Sequence, residues 1–277
     1  LSKMGAFSVY REGLDRQSLD TAIDILTDPK RPLVVFPEGT VFRTNDRLQP
    51  LLDGVAFMAR TAAKRRAKDG GTGKVVIHPV AIKYVFHGDL EKVDPTLDAL
   101  EKRLTWTLLK ETTTLKRIHR ITLAMLCLKE IEYLGSAQQG NIEERQQRLV
   151  DHLLCPLEQE WLGKTVADTI IPRIKSLRMK IVPELTTGDL DERERERRWT
   201  QLSQIYLSQQ IASYPPDYIV SPTTDTRILE TIERLEEDIT DRAGVHGPLE
   251  VIIEVDEAIE VPTDRTPRGE EDPIMKR

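Results

Sequence analysis

The chain has 277 residues and a mass of 31.6 kDa, enough for one large domain or two modest ones, and no run of about 18 apolar residues that would span a bilayer. Its two cysteines, Cys127 and Cys155, fit neither a disulfide framework nor a metal-ligand spacing, so both are expected to be reduced thiols of a cytosolic protein. The net charge of -6 is uneven: residues 1–134 hold 22 Lys+Arg against 17 Asp+Glu, which leaves 18 against 29 of the totals of 40 and 46 for residues 135–277. A basic front half suits anionic partners such as phosphorylated small molecules, CoA or an anionic membrane surface.

Strand and helix signals alternate through roughly the first ninety residues. AFSVY (6–10) is rich in β-formers, Ser18 to Leu26 sets Leu19, Ala22, Ile23 and Leu26 on one helical face, and PLVVF (32–36) is a short continuous apolar run. A second helix, 53–68, begins at Asp53, a residue suited to an N-cap. It ends in Lys64, Arg65, Arg66 and Lys68, which complement the negative end of the helix dipole, and the glycines at 70, 71 and 73 stop it. KVVIHPVAIKYVF (74–86) is the longest β-rich run and is expected to be a central strand, with Pro79 at a bulge or strand end. This alternation predicts an α/β domain over residues 1–88, with a mostly parallel sheet and right-handed crossovers.

From about residue 88 helical patterns follow one another, over 95–110, 112–134, 141–162, 165–182, 190–212 and 225–242. Gly135, Gly163 and Pro215-Pro216 mark their ends. LEVIIEVDEAIEV (249–261) reads as one strand or a hairpin pair, so 89–262 is a mainly helical region with a late strand. Residues 263–277, rich in charge and proline, read as a disordered tail. No internal repeat or low-complexity tract is evident.

The stretch VVFPEGTVFR (34–43) carries the first chemical signal. A parallel strand ending at Phe36 places the following loop at the carboxyl edge of the sheet, where α/β folds bind ligands. Pro37 stiffens the exit and Gly39 lets a ligand approach the backbone, so Glu38 becomes a fixed acceptor and Thr40 a donor or acceptor. Local physics equally allows an ordinary β-turn with a solvated Glu38.

FPEGT (36–40) resembles the third sequence block of the glycerolipid acyltransferases, the family of lysophosphatidic acid and glycerol-3-phosphate acyltransferases. GAFSVYR (5–11) is similar to the second block, Gly-x-x-Phe-Ile-Asp-Arg: Gly5 and Arg11 match, Val9 is conservative, and Ser8 and Tyr10 depart. LLDG, ending at Gly54, fits the pattern after block three, and VVIHPVAI with Pro79 looks like the fourth block. The resemblance covers roughly residues 4–86. It implies that Arg11, Glu38 and Gly39 hold a glycerophosphate-type acceptor, with Thr40 beside them, and that Pro79 shapes the acyl-donor side. A guanidinium forks onto phosphate oxygens, and amides beside Gly39 can supplement it. Val41 stands where the family usually has Arg, so Arg43 or Arg47 is expected to reach back across the loop.

The family's catalytic block, His-x-x-x-x-Asp, supplies a general base and its orienting carboxylate. None of the histidines at 78, 87, 119, 152 and 246 has Asp five residues on. The catalytic pair is therefore expected upstream of Leu1, and this chain alone is expected to be inactive. His78 and His87 flank the long strand without a carboxylate at usable local spacing.

The resemblance implies transfer of a fatty acyl group from acyl-CoA or acyl carrier protein to a hydroxyl of glycerol 3-phosphate or lysophosphatidate in phospholipid synthesis. It implies no metal and no bound organic cofactor. The expected setting is cytoplasmic, peripheral to the membrane or anchored by a segment before Leu1. A non-catalytic lipid-binding or scaffold protein with a degenerate acyltransferase domain is the alternative. Lys64, Arg65, Arg66 and Lys68 suit either anionic headgroups or solvent. The apolar, cation-studded stretch 103–128 either lies in a membrane interface with Trp106 as anchor or packs on a core. DERERERRW (191–199) reads as a solvated ion-pair face, and its acidic residues argue against a nucleic-acid partner.

Overall fold

The structure is a computed structural model that describes residues 5–10, 13, 15–28, 32–39, 41–70, 73–108, 112–188, 190–220, 222–264 and 274–275. Its helices are α1 (Arg16–Thr27), α2 (Gly54–Lys68), α3 (Asp94–Thr105), α4 (Thr114–Leu134), α5 (Ile142–Leu162), α6 (Ile170–Thr187), α7 (Glu192–Ala212) and α8 (Asp225–Thr240), with a 3-10 turn at Leu90–Val93. Four strands accompany them, β1 (Val76–Ile77), β2 (Val80–Phe86), β3 (Leu249–Val255) and β4 (Ile259–Glu260). Residues 1–83 with 251–277 form one compact unit, and 84–250 form a second. Residues 251–261, grouped with the helical region on sequence, thus cluster with the first unit. The helical majority with a mixed α/β front agrees with the sequence, but the sheets differ.

In the first unit, Asp15 starts α1: its carboxylate accepts the Ser18 amide at 3.0 Å and the Tyr10 amide at 2.7 Å. These bonds, led by that of the Ser18 hydroxyl, hold the Asp15 carboxyl below its ordinary range. The core is thin. Ala56, Ala59, Ala62 and Ala63 of α2 meet Ile23 of α1, with Val75 and Val261. Small side chains let the two helices approach closely, at the cost of little apolar area. Ile274 also packs here, so one point of the expected disordered tail is buried; residues 265–273 and 276–277 lie outside the described residues.

The strand expected over 74–86 breaks at His78-Pro79. β1 pairs antiparallel with β4, Val76 opposite Glu260 and Ile77 opposite Ile259. β2 is the neighbour of β3 in a second two-stranded sheet, and beyond its start the Asp256 amide donates to the Pro79 carbonyl at 3.0 Å. Between the two registers, residues 257 and 258 oppose residue 78 alone. That is a β-bulge, placed where Pro79 has no N–H to give. Among the described residues no parallel pair occurs, and AFSVY and PLVVF lie in neither sheet. The physical reason is lateral: the partner of 74–86 comes from residues 249–261, and Val34 and Phe36 stand 76% and 75% exposed.

The second unit is an array of consecutive, packed helices, α3 through α7, with α8 set against α3 and α4. Its cores are Leu97, Leu100, Ile118, Ile121, Ile228 and Ile232 at one end and Leu154, Leu177, Ile181 and Ile205 at the other. Ile118 and Ile121 are fully buried, so this part of 103–128 packs inside protein, whereas Trp106 is exposed at a left-handed helix terminus.

The array reveals an internal repeat that the composition conceals. Arg117, Arg145 and Arg173 stand 28 residues apart (145 − 117 and 173 − 145), each four residues past its helix N-cap, Thr113, Asn141 or Thr169. Each binds a fully buried glutamate in the preceding helix: Glu101 at 3.0 Å, Glu130 at 2.6 Å and Glu158 at 2.7 Å. CLKEIEYLGSAQQGNIEER (127–145) aligns with CPLEQEWLGKTVADTIIPR (155–173) at Cys, both Glu, Leu, Gly, Ile and Arg. The copies also share a loop bond, since Glu130 accepts the Gln138 amide and Glu158 the Val166 amide. Gly135 and Gly163, both at positive φ, close the helices before each loop. Cys127 and Cys155 are free and lie 3.1 and 3.4 Å from the guanidinium of their own copy. A fourth junction varies the theme: Arg198, 5% exposed, bonds Glu184, Glu194 and the Ile181 carbonyl. Part of DERERERRW is therefore buried, and not a solvated face throughout.

The clamp at Glu130 makes the unit sensitive to acid. Hydrogen bonding by Arg145 holds the Glu130 carboxyl below its ordinary value of 4.5. A depressed folded-state pKa means stabilisation that is complete above that ordinary value and lost as pH falls through the folded one. Glu130→Gln should lower the thermal midpoint at pH 7 yet shrink the further drop between pH 7 and pH 3, read by circular dichroism. An unchanged drop would count against this assignment.

Candidate functional site

The segment Pro37 to Leu52 closes on itself as a loop of the first unit. The Leu52 amide donates to the Pro37 carbonyl at 2.9 Å, and inside that closure the Gln49 amide donates to the Glu38 carboxylate at 3.3 Å. Glu38 is thus a loop-organising acceptor, half buried, with further lone pairs. The turn itself is made by Gly39, at φ +69, whose amide donates to the Phe36 carbonyl at 3.3 Å. The Gly39 amide itself is thus occupied within the turn. A Cβ at Gly39 would lie 2.6 Å from Leu52 Cδ1, a side-chain end that can shift, so it is the dihedral that demands glycine.

Farther round, the Arg47 amide donates to the Thr44 carbonyl at 2.9 Å. Thr44 is 6% exposed and its hydroxyl meets no partner among the described residues. Lys83 of β2 brings its ammonium to 3.1 Å from Asp46, whose side chain is 11% exposed against 55% for the lysine. This pair fastens the loop to the strand that follows Pro79. Pro79, half buried, stands between β1 and β2 and accepts the Asp256 amide.

Of the residues singled out on sequence, Glu38, Gly39 and Arg43 share this loop, and Pro79 immediately precedes the strand that Lys83 ties to it. Arg43 and Arg47 are half buried and already engaged by other groups. Val41 is 91% exposed. Arg11 and Thr40 lie outside the described residues; the residue before Arg11, Tyr10, is fixed to Asp15 at the start of α1. Sequence reasoning missed Thr44, Asp46 and Lys83. One signal for Lys83 was available: it is the single charge in VAIKYVF.

The histidines also acquire partners that local spacing hides. In the second unit His87 lies 2.7 Å from Glu250, and His246 lies 3.0 Å from Glu236. The first pair is more than half exposed on both sides, which is the setting of a surface ion pair. Among the described residues, no three His, Cys, Asp or Glu side chains converge as a metal site, and no helix is long and apolar enough to cross a membrane.

Comparison with known proteins bears on this unit alone. No curated protein and no solved structure matches the chain. The model of the family described as Acyltransferase matches residues 1–83, the stretch that holds α1, the Glu38 loop, α2 and the strand residues through Lys83, and supports acyl transfer as its general chemistry.

Proposed function

We propose that the protein transfers a fatty acyl group from acyl-CoA or acyl carrier protein to a hydroxyl of glycerol 3-phosphate or lysophosphatidate. The observation that carries this reading is the closed Glu38 loop inside the matched region, built on Pro37 and Gly39 and followed in order by Pro79. In the reaction the acceptor oxygen attacks the thioester carbonyl, the C–S bond breaks, and the hydroxyl proton passes through a base to the leaving thiolate. The assigned residues bind and orient: Arg11 grips phosphate, Glu38 accepts from an acceptor hydroxyl, and Gly39 shapes the approach. Orientation of this kind supplies much of the rate in two-substrate reactions. A mostly parallel sheet is part of the reading, because AFSVY and PLVVF carry strand-type apolar residues that stand open to solvent.

Peripheral contact with an anionic membrane belongs to the same proposal. Phe57, Lys64 and Lys68, at helical spacings of seven and eleven, are exposed together on α2. The test is acyl transfer by the product of the whole gene, with acceptor offered in anionic and in zwitterionic vesicles. Arg11→Ala and Glu38→Ala should each cost about tenfold or more, the scale of a charged hydrogen bond. Faster turnover on anionic vesicles is expected; equal rates would remove the membrane contact from the reading.

A second reading, a non-catalytic scaffold or lipid-binding protein, is favoured by the helical repeat of the second unit, an architecture suited to extended interaction surfaces. Absence of acyl transfer with every donor and acceptor pair would select it.

A further inference from the structure

We propose that Lys83 is a specificity-determining residue that recognises a phosphomonoester at the Glu38 loop, with Asp46 as the group that positions it. This rests on the acyl-transfer reading and goes beyond it, since no sequence motif pointed to either residue. The first ground is the asymmetry of the pair. Asp46 is nearly buried in the loop, while Lys83 remains 55% exposed, so the carboxylate fixes an ammonium that still faces outward. An ammonium carries three donors, and its contact with Asp46 is an ion pair at 3.1 Å.

The second ground is charge. Across Pro37–Leu52, Glu38 and Asp46 cancel Arg43 and Arg47, which leaves Lys83 as the charge in excess at this loop. The third is the buried Thr44 hydroxyl, two residues from Asp46 and without a partner among the described residues. A buried hydroxyl left unbonded is costly, and an incoming oxygen ligand or a bridging water relieves it. A compact, outward-facing cation suits a phosphate oxygen, for which lysine acts as a point charge.

The phosphomonoester has two possible sources, the phosphate of the acceptor and the 3′-phosphate of CoA. Kinetics with Lys83→Ala and Lys83→Arg distinguish them. Lys83→Ala should raise KM about tenfold for whichever substrate carries the phosphate, with kcat within about twofold, and Lys83→Arg should restore most of it. A rise confined to the acceptor assigns the acceptor phosphate. A rise for acyl-CoA that is absent with acyl carrier protein as donor assigns the 3′-phosphate. Inorganic phosphate supplies a readout free of turnover: it should raise the thermal midpoint of the wild type and less so that of Lys83→Ala or Asp46→Asn. Equal protection of all three, with both KM values unchanged, overturns the proposal. If Glu38→Ala abolishes activity in that case, the acyl-transfer reading stands without Lys83; if Glu38→Ala is also silent, the site itself fails.

Discussion

Replacing Arg173 by Ala should destabilise the helical unit by about 3–5 kcal/mol, the cost of leaving a buried carboxylate without its partner. Glu158 is fully buried and receives two bonds from this guanidinium, at 2.7 and 3.2 Å. The same side chain also holds Asp151 at 2.7 Å, so its removal loosens α5 from α6 at a second point. For a unit of this size that loss corresponds to a fall in thermal midpoint on the order of 10 °C. A double replacement, Glu158→Leu with Arg173→Met, should recover most of it, since a buried ion pair exchanged for apolar volume is often neutral. An exposed comparator is Arg197, paired with Glu194 and Glu160 on the surface of α7. Arg197→Ala should cost about 1 kcal/mol or less. Equal effects of Arg173→Ala and Arg197→Ala in thermal denaturation would show that the repeated clamps do not organise the array.

Gly39→Ala should cut acyl transfer about tenfold or more while leaving the helical unit's midpoint unchanged. Its φ of +69 costs a side-chain-bearing residue roughly 1–2 kcal/mol, and the new Cβ would press on Leu52 Cδ1. Leu52, 46% exposed, can turn its side chain aside, so the dihedral carries the larger part of the cost, and its strain falls on the backbone next to Glu38. Adding Leu52→Ala removes the clash and keeps the dihedral cost, so the double variant should regain part of the activity. Full activity in Gly39→Ala would mean that the loop's closure is unrelated to the chemistry.

What was readable in the sequence follows from range. Helix ends are local, and Gly135, Gly163 and Pro215-Pro216 announced them; α5 runs Ile142–Leu162 where the pattern indicated 141–162. The loop chemistry of Pro37, Glu38 and Gly39 was legible for the same reason. Pairing of 74–86 with 249–261 depends on residues about 170 apart in the chain, which periodicity does not encode. The apolar run therefore looked like a central parallel strand, although Pro79 correctly announced its interruption. The 28-residue repeat hid because its constant residues are few and scattered, and an arginine four residues into a helix reads as solvated until its glutamate is seen. Lys83 and Asp46 stay invisible as a pair until the loop folds onto β2.

The central claim is that the Glu38 loop binds the acyl acceptor. It is tested most directly by the acceptor kcat/KM of Glu38→Ala against wild type at saturating acyl donor, in protein with an unchanged thermal midpoint. A loss of about tenfold or more is expected. An unchanged kcat/KM would contradict it.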